Sequence, residues 1–387
     1  MNRLPILLFA AALVLGISYG MHGPVLPVFA KNEVGATYAE LSLIGMVNFL
    51  PYMVIPIFVG ILLDRINNGY LLTMGFILNT ASLFLTATAT TVEELVAYRA
   101  MVGVAHAFIW PPSESILSSS SNNRVKNISW FIMFFSVGFM VGPLLGSLVL
   151  ETVGTDYRLL FQITAYVMAA GLVSTVLTHS KAPKRGSGKL NLKSFGKIVK
   201  FPVVVTLLLF STAAFGIILT IYPAFLNDRG MDDTAILLLY FVFGITRVGS
   251  LLMAGYLSRR AVPTLVASTV LVTVGMGISA VGTTFAEFAA ALLMLGFGFS
   301  MMYPLALEVI LQGTKKNTWG RMIGAYEAVF GVGWTLGPAI SSYVTQMHEP
   351  AIVYWIFCYM GIAVSAMSVV FRRRLRLVSS RRQDAPG

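Results

Sequence analysis

Residues 137–149 read VGFMVGPLLGSLV, and residues 332–344 read VGWTLGPAISSYV. Aligned without a gap, they match Val137-Gly138 to Val332-Gly333, Gly142-Pro143 to Gly337-Pro338, Ser147 to Ser342 and Val149 to Val344, at an offset of 195. Other segments repeat at almost the same distance. Gly20, Pro27 and Phe29 return as Gly216, Pro223 and Phe225, 196 residues later. Gly103 followed by Trp110-Pro111 returns as Gly296 followed by Tyr303-Pro304, and Gly60 returns as Gly255. A single Gly or Pro match is weak, but a series sharing one offset describes a chain built from two similar halves.

The composition says what those halves are made of. Of 387 residues, 57% are hydrophobic and 11% charged, with a mean hydropathy of +0.80. A soluble domain carries about 25% charged residues. So few charges cannot cover a core of this size, so lipid covers much of the surface. A spanning helix needs roughly 20 apolar residues. Twelve stretches qualify, at approximately 5–30, 39–63, 69–90, 93–117, 125–150, 158–178, 201–226, 234–257, 262–283, 287–311, 320–345 and 350–371. The apolar N-terminus resembles a signal peptide but runs on to Ala30, and reads as the first span. The fold expected is all-α and integral to the membrane, with two pseudo-twofold related six-helix bundles.

Of the 27 Lys and Arg residues, Arg99 and Arg247 lie inside spans, and Lys31, Arg158 and Arg229 lie in one set of loops. All the others lie in the opposite loops and the tails. This asymmetry predicts a multi-pass cell-membrane protein with both termini in the cytoplasm. The net charge of +11 therefore reads as topology signal, and no nucleic-acid partner is expected. The basic segment 179–200 is the expected linker between bundles 1–178 and 201–371, with 372–387 a basic tail. The lone Cys358 lies in an apolar run and supports neither a disulfide framework nor a cysteine metal site. No metal, cofactor or further protein partner is expected, and the chain reads as a monomer whose partners are lipid, a small-molecule substrate and protons.

Several motifs resemble those of the major facilitator superfamily, over essentially the whole chain. Gly60, Leu62, Asp64 and Arg65 look like its G-x-L-x-D-R loop, departing where Asn67 and Asn68 replace the usual Gly and basic residues. Arg99-x3-Gly103 is similar to the family's membrane-embedded arginine motif. Gly138-x3-Gly142-Pro143-x2-Gly146 looks like the signature of its twelve-helix proton-coupled drug antiporters, with Ser147 in place of a second Gly. The resemblance implies alternating access and a fifth-span bend that seals against proton leak. The residues alone are equally read as close helix packing at Gly138 and Gly142 and a kink at Pro143. Gly333, Gly337 and Pro338 would repeat the device.

Charges inside spans are costly and face a cavity or a partner. Arg99, Gly103, His106, Trp110 and Glu114 fall on one helical face of the fourth span. His106 is read either as a hydrogen-bonded core residue or as a proton carrier. Counting about 1.5 Å per residue places Arg247 and Glu327 near the same midplane layer as His106, so Arg247 is the expected partner of Glu327. Glu114 and Glu308 fall toward the cytoplasmic mouth and read as wetted gate residues. Asp64 is expected to dock on the start of the eleventh span, with Arg65 and Arg321 beside it, closing the cytoplasmic side. His22 is a further polar candidate in the first span. Phe108, Trp110, Phe215, Tyr222, Phe299 and Tyr303 read either as an aromatic cavity wall or as ordinary packing.

These features predict a secondary transporter, with proton-coupled efflux of a drug or metabolite ahead of symport or uniport of a sugar, organic acid or amino acid. A membrane enzyme would need clustered ligands or nucleophile–base sets, and no HExxH or Walker-type loop is present. A channel would need a filter loop or a subunit-scale pore. The sparse charge points to an apolar, weakly charged or amphipathic substrate.

Overall fold

A computed structural model of the chain describes residues 3–63, 66–120, 124–179, 198–314 and 319–371. Among them there are α-helices, short 3₁₀ turns and no strand. The fourteen helices make the twelve expected spans, because the first and seventh are each broken in two. In the first half they are α1 (Arg3–His22) with α2 (Leu26–Asn32), α3 (Tyr38–Leu62), α4 (Asn68–Thr88), α5 (Val92–Ser120), α6 (Arg124–Val153) and α7 (Tyr157–Val176). In the second they are α8 (Pro202–Thr220) with α9 (Tyr222–Asp228), α10 (Asp233–Leu257), α11 (Ala261–Val281), α12 (Phe285–Gln312), α13 (Trp319–Thr345) and α14 (Ala351–Val370).

Local chemistry sets several ends. Thr37 and Glu40 form a capping box ahead of α3, and Thr284 and Glu287 repeat it ahead of α12. The break between α1 and α2 follows Gly23-Pro24, where proline supplies no N–H, and Pro27 opens α2. Pro223 opens α9 in the same way. By contrast, α5 runs on through Pro111-Pro112 and α6 through Pro143.

Nine stretches among the described residues are long and apolar enough to cross a membrane, and one of them holds both α10 and α11. The spans outside that set are α5 and α13, the helices that carry Arg99, Glu114 and Glu327. Large apolar side chains face outward, with Leu252 at 70% and Tyr256 at 71% exposure. Lipid is the solvent such a surface fits.

The chain divides into two compact units, residues 1–189 with 219–244, and residues 190–218 with 245–387. In the first unit α1 lies directly on α6. A Cβ added at Gly142 would stand 2.7 Å from Gly20 Cα, and one at Gly146 would stand 2.9 Å from Met21 O. In the second unit α8 lies on α13 the same way. A Cβ at Gly216 would stand 2.7 Å from Trp334 O, and one at Gly337 would stand 2.7 Å from the carbonyl carbon of Ala213. The repeated glycines are thus close-approach positions, where only a missing side chain lets two backbones meet.

Candidate functional site

Each unit holds a polar cluster among its helices. In the second unit the centre is Glu327 on α13, whose carboxylate accepts a short hydrogen bond from the Tyr303 hydroxyl on α12. Tyr326 Oη donates to the backbone oxygen of Tyr303 at 2.8 Å, which holds the tyrosine in place. Around this pair the aromatic rings form a continuous wall. Phe330 stands 4.9 Å from Tyr303 and 6.1 Å from Phe299, and Trp334 stands 5.0 Å from Phe330 and 5.7 Å from Phe215. Phe215 and Phe299 are stacked, with centroids 3.5 Å apart and planes at 5°. The guanidinium of Arg247 lies over both, 5.2 Å and 5.6 Å from the two centroids. A cation over a ring gains from about 0.5 kcal/mol when exposed to about 2 kcal/mol or more when desolvated, which offsets part of the cost of holding the half-buried Arg247 there. A small cavity opens beside the stack, lined by Ser211, Ala214, Phe215, Ile218, Val272, Leu295 and Phe299.

Five of the expected residues therefore meet here: Glu327, Tyr303, Arg247, Phe215 and Phe299. Glu327 is held by a phenol, and Arg247 by ring faces. Phe330, Trp334 and Tyr326 complete the wall. Aromatics in an apolar helix look like packing; the one signal is position, with Phe330 and Trp334 three and seven residues after Glu327 on its helical face and Tyr326 next to it in sequence.

In the first unit, Tyr19 on α1 and His106 on α5 share a short hydrogen bond, and Asn79 Nδ2 on α4 donates to the Tyr19 hydroxyl at 3.0 Å. Tyr52 on α3 meets the His106 ring edge-on at 6.5 Å. His22 donates from Nδ1 to the Ser18 carbonyl at 2.7 Å, with its ring 5.3 Å from Tyr19. Arg99 lies within electrostatic reach of Tyr19, His22 and His106. His106, Arg99 and His22 are thus brought together. Tyr19 and Asn79, which bind them into a network, were not expected; an amide inside an apolar span was the available signal.

The remaining candidates lie elsewhere. Trp110 packs edge-on against Phe131 and Phe135, at 5.5 Å and 5.2 Å, as part of the first unit's core. Tyr222 stacks near Phe225 at 6.2 Å, and the Phe108 backbone lies against Gly75. Glu308 accepts from Gln312 Nε2 at 2.7 Å along its own helix, and Glu114 is half-buried on α5. Asp64 and Arg65 lie outside the described residues, as do the surroundings of Gly60 and Arg321, so the expected Asp64 dock lies there too.

A further set of contacts closes the first unit at the loops that carry Lys31, Arg158 and Arg229. Lys31 forms an ion pair with Asp228, and Asn32 Nδ2 donates to Asn227 Oδ1 at 3.0 Å. Tyr38 donates to Asp228 at 2.5 Å, and Tyr157 donates to Asp233 at 2.8 Å. Arg158 pairs with Glu33 at 3.5 Å, and Arg229 lies over the Phe225 ring at 4.8 Å. This clasp joins the end of the first span to the start of α10 and the end of α9.

The chain belongs to the Major Facilitator Superfamily, whose family pattern matches residues 8–318 and 262–387. It is 25% identical over 388 residues to the quinolone resistance protein NorA of Staphylococcus aureus, with 96% of each chain covered. It is 22% identical to an uncharacterized MFS-type transporter, YcaD, of Escherichia fergusonii, covering 91% of this chain and 92% of that one. In fold it is similar to the nucleoside transporter NupG, with a TM-score of 0.82 at 16% identity over 95% of this chain and 99% of that chain. A peptide transporter POT superposes with a TM-score of 0.80 at 14% identity over 98% of this chain and 96% of that chain. The protein is accordingly a multi-pass membrane transporter of small molecules, not an enzyme.

Proposed function

We propose that the chain is a proton-coupled exporter that works by alternating access, with Glu327 as the coupling group. The observation that carries this reading is a half-buried carboxylate on α13 whose hydrogen-bond donor is the Tyr303 hydroxyl, beside a wall of aromatic rings. A carboxylate in such surroundings is stabilised either by a proton or by a positively charged group brought to it. A substrate and a proton then compete for one site, which is the requirement for exchange. The ring wall fits apolar or amphipathic molecules, and Arg247, held in the same wall, sets the local field. The whole-length similarity to a quinolone resistance protein supports export of drug-like compounds.

In this reading the bundles are residues 1–178 and 201–371, both termini are cytoplasmic and the working unit is a monomer in the cell membrane. The charge asymmetry of the loops supports that orientation. Asp64, Arg65 and Arg321 belong to the cytoplasmic closure, with Glu114 and Glu308 toward its mouth.

The test is transport in proteoliposomes under an imposed pH gradient. Glu327→Gln is expected to abolish gradient-driven movement while keeping gradient-free exchange of labelled substrate. Undiminished gradient-driven transport in that variant would overturn the coupling role. Substrate and proton moving in the same direction would replace export by symport.

A further inference from the structure

Residues 219–244 belong to the second half by the repeat, yet they pack within the first compact unit. The clasp at the loops that carry Lys31, Arg158 and Arg229 is therefore a joint between the repeated halves. Its best-shielded acid is Asp233, at the first turn of α10 and 9% exposed. One carboxylate oxygen, Oδ2, accepts from Tyr157 on α7 at 2.8 Å. The other, Oδ1, is shielded from solvent and has no hydrogen-bond partner among the described residues. One turn further along α10, Leu237 packs into an apolar core with Met21, Val25, Leu150 and Leu160.

The other ionisable groups around it serve other contacts. On α7, Arg158 pairs with Glu33 from the end of α2, donates to the Ala87 carbonyl at 3.0 Å and lies over the Phe29 ring. Asp156 caps α7 by accepting from the Leu159 N–H at 3.0 Å. At the end of α9, Asp228 takes Lys31 and Tyr38, and Arg229 covers Phe225. On α10 itself, Asp232 accepts from the Ala235 N–H at 2.7 Å, and on α6 the exposed Glu151 accepts from Ser147. No cation pairs with Asp233 among the described residues. A carboxylate held away from water with one oxygen unmatched is disfavoured as an anion, and the positive end of α10 offsets only part of that. Carrying a proton, the same group is neutral and still accepts from Tyr157.

We propose that Asp233 is a proton-binding site that ties closure of this joint to the acidity of the solution on its side of the membrane. The joint closes on the neutral acid and opens on the carboxylate, so one proton is taken up at closing and released at opening. Closure is then strongest in acid and weakens as pH rises. The exposed pairs Lys31–Asp228 and Arg158–Glu33 give the opposite sign, because protonating their carboxylates removes them. The inference rests on the alternating-access reading for its setting and adds a proton site remote from Glu327.

The test is amide hydrogen exchange of segment 222–236 in the full-length protein in nanodiscs, without substrate or gradient, corrected for the intrinsic pH dependence of exchange. Between about pH 8 and about pH 5, wild-type protection is expected to rise about tenfold or more, the ratio given by one pH unit of difference in proton affinity between the closed and open joint. Asp233→Asn keeps the shape and neutrality of the protonated acid, and is expected to show the acid level of protection across the whole range. Tyr157→Phe removes the donor that favours the anion, so its rise is expected at higher pH. Glu327→Gln is expected to keep the wild-type response, which separates this site from the coupling role. Wild-type protection that is flat or falls in acid would overturn the proposal. So would an Asp233→Asn variant that keeps the pH response or is as open throughout as the wild type in base, an unmoved rise in Tyr157→Phe, or a response lost in Glu327→Gln.

Discussion

Tyr19, Tyr52 and His106 occupy the same repeat positions as Phe215, Arg247 and Phe299, at offsets of 196, 195 and 193. In both units the three residues come together. In the first, the phenol and the imidazole share a hydrogen bond and the second tyrosine meets the histidine edge-on. In the second, the two phenylalanines are stacked flat and the arginine covers both. Leu292 stands where the first half has Arg99, and Ile132 stands where the second has Glu327. Backbone geometry has therefore been kept while the cation moved from the fourth span to the eighth and a carboxylate appeared on one side only. The lesson is that close-packed glycines, which decide where helices meet, constrain the repeat more tightly than the chemistry those helices present.

The largest effect is expected where the scaffold itself is struck. Gly142→Leu and Gly337→Leu each drive a side chain into a neighbouring backbone, at Gly20 and Ala213, which does not yield as a flexible side chain does. Both should lose folded, monodisperse protein on size-exclusion chromatography. A variant that stays folded would break the equivalence of the two helix pairs. Next comes the double variant Tyr19→Phe with His106→Phe, which writes the second unit's apolar pair into the first. It is expected to remain folded and to lose transport by at least about tenfold, the effect of a lost polar site of roughly 1.4 kcal/mol or more. Normal flux would mean that the polar triad is packing alone.

A smaller change in stability is expected for Arg247→Met. Losing the ring contact costs about 1–2 kcal/mol for a half-buried cation, and relief from holding a charge partly out of water offsets much of it. Its melting temperature should move by only a few degrees, measured by the fluorescence of the purified protein, while gradient-driven transport falls. A large drop in melting temperature would make Arg247 a structural element rather than part of the chamber. The smallest effect is expected for Lys31→Gln in the exposed clasp, under about 1 kcal/mol. Its difference from the wild type should vanish near 1 M salt, where screening acts over about 3 Å.

The spans and their duplication were legible because lipid restricts composition over every helix. The charged helices α5 and α13 were legible for the converse reason: a charge there needs a purpose. Contact partners were harder to read. Glu327 and Tyr303 both stood out, but their bond depends on how α12 faces α13, which periodicity alone does not determine. Arg247 lies over the faces of Phe215 and Phe299, a contact that a flat guanidinium makes as readily as one to a carboxylate and that charge patterning does not reveal. Tyr19 and Asn79 carry no charge and sit in apolar runs. The breaks after His22 and Thr220 were hidden within continuous hydrophobicity, although Pro24, Pro27 and Pro223 marked them.

The clasp has one more property. Positions 31 and 32 correspond to 227 and 228 at the repeat offset, and the contacts run crosswise, 31 to 228 and 32 to 227. In a homodimer of identical halves these would be one contact made twice, and every substitution would strike both copies together. Fused into a single chain, each copy changes alone. One arm of the crossing is now lysine on aspartate, the other amide on amide, so duplication followed by fusion lets a symmetric joint acquire a charged side and a neutral side without a second gene.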